Sequence, residues 1–264
     1  MSRWFTILTV LLFAPQLAFA QPPAKKDATA ELLDKLRKPV DLNTSDELRL
    51  NDLADFISKR HGVTVAINTG AFLALGEEDA MGMVVRMPKV KELPLAAAIR
   101  HTLSAKNATF LVRKTHIEIV PISLAAKEAK VSGTDEDGTT RLAQPLVSAI
   151  YKEKPLNEAL ADLAEEFDLT IVIAPQAGDN KTGFVNARML NVPADRAIEL
   201  LALQSDLRVV KKGNAFFVTG KDHANEMFNE RLEQQQRKIE VERLRNAPFT
   251  PVPPAPVAPS PPAK

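Results

Sequence analysis

Cysteine is absent from all 264 residues, aromatic residues make up only 5% with one tryptophan and one tyrosine, and neither charge sign dominates. Without cysteine there is no disulfide, no thiol nucleophile and no lipid attachment through a cysteine at a processing site. With so few aromatic rings, the core has to be assembled from Leu, Ile, Val and Ala. The balance of 34 Lys+Arg against 33 Asp+Glu removes any global electrostatic case for nucleic acid or an anionic membrane. Four histidines, His61, His101, His116 and His223, are scattered without an HExxH pattern or a close partner, so no metal ligand set is visible. Serine-hydrolase, Walker and dinucleotide glycine patterns are missing as well. The run Asp135-Glu136-Asp137-Gly138 lacks the alternating ligands and the position-twelve glutamate of a calcium loop and reads as linker. Glu165-Glu166 and Glu77-Glu78-Asp79 read as solvated carboxylates. The expectation is a chain with no catalytic residues, no cofactor and no metal.

What is present begins with Arg3, an apolar run from Trp4 to Ala14, and Ala18-Phe19-Ala20, the pattern of an export signal cut after Ala20. The run is shorter than the roughly 20 apolar residues of a membrane span, and Pro15 interrupts it. The processed chain is expected to be soluble, with no transmembrane segment, in the periplasm or secreted. Arg3 is the only charge removed, so the remainder is formally neutral.

The stretch Pro155 to Ile173 sets the pattern for the rest. Leu156, Leu160, Leu163 and Phe167 share one helical face, and Leu169 to Ile173 then turns β-branched. Leu50, Leu53, Ala54 and Ile57, followed by Val63 to Ile67, repeat this helix-then-strand order. Sliding by 106 pairs Leu50 with Leu156 and Ile67 with Ile173, whereas Pro94, Ala98 and Ile99 match Pro193, Ala197 and Ile198 at 99. A duplicated module follows, with a seven-residue insertion expected between Asn68 and Met81 of the first copy. Gly62 is placed for a left-handed helix cap, and Lys212-Gly213-Asn214 for a hairpin turn.

The expected order is signal 1–20, flexible leader 21–38 with at most a helical turn at Glu31 to Arg37, first module 39–122, linker 123–141, second module 142–221, charged helix 222–246 and a disordered Pro-rich tail 247–264. The fold class is α+β: two tandem βαββαβ modules, each a helix pair packed between small sheets. The helix from Asp222 to Arg245 has apolar residues too sparse for a broad stripe and reads as solvated. The tail reads as extended polyproline spacer or ligand.

Lys154-Pro155-Leu156-Asn157-Glu158-Ala159-Leu160, Leu169 to Ile173, and Val185 to Ile198 with its Val192-Pro193-Ala194-Asp195-Arg196-Ala197-Ile198 lead-in to a second helix carry a resemblance. The second module resembles the secretin and TonB short N-terminal domain, the small βαββαβ unit at the periplasmic end of secretins and TonB-dependent signalling receptors. The first module is similar, with Arg49 in place of the lead-in proline and a longer middle loop. The resemblance implies a docking unit for other envelope proteins and brings no catalytic residues. It covers neither the signal, the linker, the charged helix nor the tail, and the chain lacks the long strands of a secretin barrel or receptor.

Three functional expectations follow. The leading one is an exported, non-catalytic binding or scaffolding protein of the bacterial cell envelope, linked to secretin-type or TonB-type machinery, whose partner is another envelope protein. The second is an enzyme or small-ligand carrier using a cleft between the modules, gated by the loop 68–81. The third is a self-associating structural component. Small sheets leave unpaired edges that a partner strand can extend, and the edge expected to serve is Val185, Ala187 and Met189.

Overall fold

The computed structural model describes residues 27–42, 47–130, 132–134, 140–142 and 144–245. The expected export signal, the first part of the leader, the Asp135 to Gly138 run and the Pro-rich tail lie outside the described residues.

The fold is α+β. In the first half, strands β1 (Pro39–Leu42) and β2 (Glu47–Arg49) lead into helix α2 (Leu50–His61), then β3 (Val65–Ile67), a short helix α3 (Thr69–Leu73), β4 (Val84–Arg86), β5 (Val90–Pro94), helix α4 (Leu95–Ser104) and the hairpin β6 (Ala108–Val112) with β7 (Ile117–Pro121). In the second half, β10 (Leu146–Pro155) leads into α6 (Leu156–Phe167), β11 (Thr170–Ile173), a 3₁₀ segment at Pro175–Thr182, β12 (Phe184–Pro193), α7 (Ala194–Gln204), β13 (Leu207–Lys212) and β14 (Ala215–Gly220). The sheets correspond: order β3-β7-β6 in one half matches β11-β14-β13 in the other, each with one parallel and one antiparallel pairing. The long pair β10-β12 is matched by two shorter pairs, β1-β5 and β2-β4.

Leu50 and Leu156 each open a twelve-residue helix whose apolar stripe is buried. The helices α6 and α7 touch one another and both sheets, so Leu156, Leu160, Leu163, Ile198 and Leu201 fill the space between layers. The same argument places Leu53, Ile57, Ile99 and Leu103 in the first core.

Backbone details repeat where the residues do not. Gly62 and Asp168, 106 apart, both end their helices in the left-handed region. Glu92 and Asn191, and likewise Asn107 and Asp206, are 99 apart and share positive φ. The N–H of Glu92 donates to Asp41 Oδ1 at 2.9 Å, and that of Asn191 donates to Ser148 Oγ at 2.9 Å. The two halves thus use one bulge with different side chains.

The structure revises several expectations. The length difference is not confined to one loop. Leu50 N–H donates to Met83 C=O as Leu156 N–H does to Gly183 C=O, so six of the seven extra residues lie between β3 and β4, and the seventh lies in the break between β4 and β5. The leader is not flexible over 28–37: it is helix α1 (Ala28–Arg37), capped by Asp27, which accepts from Thr29 N–H at 3.1 Å, with Leu32, Leu33 and Leu36 buried. The linker begins as helix α5 (Ile122–Ala129), closed by left-handed Lys130, and continues with a small hairpin, β8 (Ser132–Thr134) and β9 (Thr140–Leu142). The charged segment is helix α8 (Lys221–Arg245), with Ala224 buried near its start and Phe228, Leu232, Ile239 and Val241 exposed. Among the described residues, no helix is long and apolar enough to cross a membrane.

Candidate functional site

Side chains from both halves close the cleft between them. Asn191, held at φ 55 by the β12 bulge, aims its amide at the outer edge of β6. Val112 N–H donates to Asn191 Oδ1 at 2.8 Å, and Asn191 Nδ2 donates to Val112 C=O at 2.9 Å, so the side chain substitutes for one residue of a neighbouring strand. Beneath it, the Arg100 guanidinium lies 4.6 Å from the centre of the Phe167 ring. Arg37 Nε donates to Glu166 Oε2 at 3.2 Å, tying α1 to α6. Arg188 from β12 pairs with Asp27 and donates to Thr29 Oγ1 at 2.7 Å, while Thr29 Oγ1 donates to Lys114 C=O at 3.0 Å. Helix α1 therefore pins both halves.

A cavity of about 70 Å³ remains, lined mainly by apolar groups such as Leu33, Leu36, Phe110, Val112, Leu146 and Phe167. Burial pushes the Glu166 carboxyl above its ordinary value, against the pull of Arg37 and Arg100. The same burial lowers Arg100, with Glu166 opposing. Tyr151, whose hydroxyl donates to Ala159 C=O at 3.2 Å, is pushed far up by burial. Most polar groups of the joint are spent on one another, the buried Arg37 Nη2 being left without a hydrogen-bond partner, which is the arrangement of a structural joint.

Glu166 corrects the sequence reading. It was expected on a solvated face beside Glu165, but α1 covers it and leaves its side chain 13% exposed. Glu165 and the Glu77 to Asp79 run are exposed, as expected. His61 ends α2 edge-on to Phe56, with Nε2 buried and unpartnered; burial, aided by Arg60, lowers its pKa. His101 is exposed on α4, and His223 lies 3.3 Å from Glu226. Among the described residues there is no group of three His, Asp or Glu placed to hold a metal ion.

The expected docking edge is differently disposed. Val185 and Met189 are 0% and 3% exposed and face the core, and Ala187 is half-buried; all three pair with β10. The outer side of the strand is engaged too: Asn186 N–H donates to Gln204 Oε1 at 2.9 Å, Arg188 holds α1, and Asn191 holds β6. The alternation of the strand is legible in the sequence; that its edge is consumed depends on tertiary contacts, with Gln204 18 residues away and with Val112 and Thr29, 79 and 159 residues away.

Several hollows stay open among the described residues, including one on each half away from the joint. One of about 560 Å³ is lined by Asp195, Arg196 and Glu199 of α7, Val209 and Lys211 of β13, and Lys130. The other, of about 400 Å³, is lined by Lys35, Lys38, Asp41, Arg60 and His61 of the first half.

No protein-family model matches the chain, and no curated protein matches its sequence. Among solved structures, two crystal structures of a candidate anti-sigma factor from Parabacteroides distasonis ATCC 8503 align with 9% identity and a TM-score of 0.26. Each alignment covers 53% of this chain and 65% or 66% of the other, so the chain spans just under two thirds of the length of those neighbours. A likeness at that score carries no inference about fold or function.

Proposed function

We propose that this chain is an exported, non-catalytic binding protein of the bacterial cell envelope, built from two modules of the secretin and TonB short N-terminal type. One observation carries the reading: the space between the halves, where an enzyme or ligand carrier would place convergent polar groups, is a packed joint whose Arg37, Glu166 and Asn191 are paired internally. What faces outward is suited to protein surfaces. It consists of the α7/β13 hollow with its mixed charges, and the exposed helix α8. The joint holds these surfaces in a set relation, which is what a scaffold requires.

The test is site-specific photo-crosslinking in the native compartment, with the probe at Lys211 and at Lys238. A discrete adduct to an envelope protein from either position, competed by the purified chain, is the expected result. Export without any protein adduct at either position, together with turnover or retention of a small metabolite by the purified protein, would replace this reading with the enzyme or carrier.

A further inference from the structure

The contact between the halves is not symmetric: the second half offers a face, and the first half offers a groove. The face is the bulge with Asn191 and Ser148, together with the end of α6 at Glu166 and Phe167. The groove runs between α4 and the β6 edge, with Ala96, Arg100, Phe110 and Val112. Because the halves repeat, each surface has a counterpart that stays open among the described residues. The positions 99 residues after the groove are Asp195, Glu199, Val209 and Lys211, and these line the open 560 Å³ hollow. The positions equivalent to the face are Glu92, Asp41, Arg60 and His61; Asp41, Arg60 and His61 line the open 400 Å³ hollow, and Glu92 is exposed on its bulge.

We infer that copies of this chain associate head to tail, the first half of one copy docking its Asp41/Glu92/Arg60 face into the α7/β13 groove of the next in the geometry of the internal joint. Two pairs of charged positions favour this occupant. Arg100 and Glu166 line the internal cavity together; the same two positions between copies bring Glu199 and Arg60 together, with the signs exchanged. Where Asn191 meets Val112, Glu92 meets Lys211. Both substitutions remain complementary, and complementary charge fixes register and partner choice.

The groups already at these places are weakly held. Glu199 pairs with Arg196 one turn away at 2.6 Å, both largely exposed, and Arg231 reaches Lys211 C=O at 3.5 Å. A face meeting a different surface is a heterologous contact, so assembly continues past the dimer into a ring or a filament according to the rotation at each step. This inference stands independently of the envelope role, since it concerns only what the chain does with itself.

Sedimentation of the chain from Gln21 onward, across a concentration series, tests it. The expected result is a mass that rises beyond the dimer. Arg60→Glu and Glu199→Arg should each raise the concentration needed by at least about tenfold. Mixing these two variants should restore assembly, because each then meets its complement in the other. Since the chain has no cysteine, Glu92→Cys mixed with Lys211→Cys should give an oxidised pair of two different chains, with neither variant crosslinking strongly alone. A wild-type chain that stays monomeric throughout overturns the inference. So does association that both charge reversals leave unchanged, a variant mixture that stays apart, or crosslinking only within like variants.

Discussion

Asn191 sits in a backbone conformation that costs most residues about 1 kcal/mol or more, and its amide uses that conformation to meet both polar groups of Val112. Glu92 has the same conformation without the clasp. Asn191→Ala should therefore destabilise the protein by about 2 kcal/mol, since it strands a donor and an acceptor, while Glu92→Ala should stay within about 0.5 kcal/mol. Paired urea titrations measure the difference, and equal costs would show that the clasp contributes nothing. Glu166 offers a pH prediction. Its folded pKa is raised above the ordinary value of 4.5, so the neutral form favours the native state; the contribution is full below 4.5 and is lost as pH rises through the raised value. Glu166→Gln should therefore gain relative to wild type as pH rises from about 4.5 toward neutrality, whatever fixed offset it carries from losing the Arg37 pair. Thermal midpoints across that range decide it, and parallel curves would contradict the raised pKa.

Among the elements, α6 and α7 carry the second core and α1 carries the joint. Leu160→Ala and Ile198→Ala each remove a side chain that is 1% exposed or less and should cost about 2 to 5 kcal/mol by chemical denaturation. Leu36→Ala on α1 belongs in the same range, because Leu36 is 2% exposed and packs between the halves. Helix α8 should behave in the opposite way. Its packing ends near Arg231, so removing residues 234–245 should leave stability within about 0.5 kcal/mol of wild type. A larger loss in that truncation would mean that the outer turns of α8 are packed in solution.

The whole molecule should unfold as one unit. Ile150 and Leu190 of the second half pack into the first core, Arg188 and Glu166 hold α1 from one side, and Lys114 holds it from the other. Calorimetry at low protein concentration is expected to show a single transition, because opening either half exposes the apolar joint of both. Two resolved transitions would show that the halves are energetically separate and would weaken the set relation on which scaffolding depends.

Sequence alone determined the class of fold, the buried stripes of α2 and α6, the cap at Gly62 and the turn at Gly213, since each is written in residues close together in the chain. It also contained Leu32, Leu33 and Leu36, a helical stripe hidden by the polar, proline-bearing leader around it, and the helix-favouring Leu124-Ala125-Ala126 at the start of the linker. What tertiary structure decided was which surfaces are free. The β12 edge reads as open in the sequence but is consumed by Gln204, Thr29 and Val112, and Glu166 reads as solvated but lies beneath Arg37. Local periodicity fixes the side of an element on which a residue lies, whereas the partner that covers that side comes from a distant segment and depends on how the layers stack.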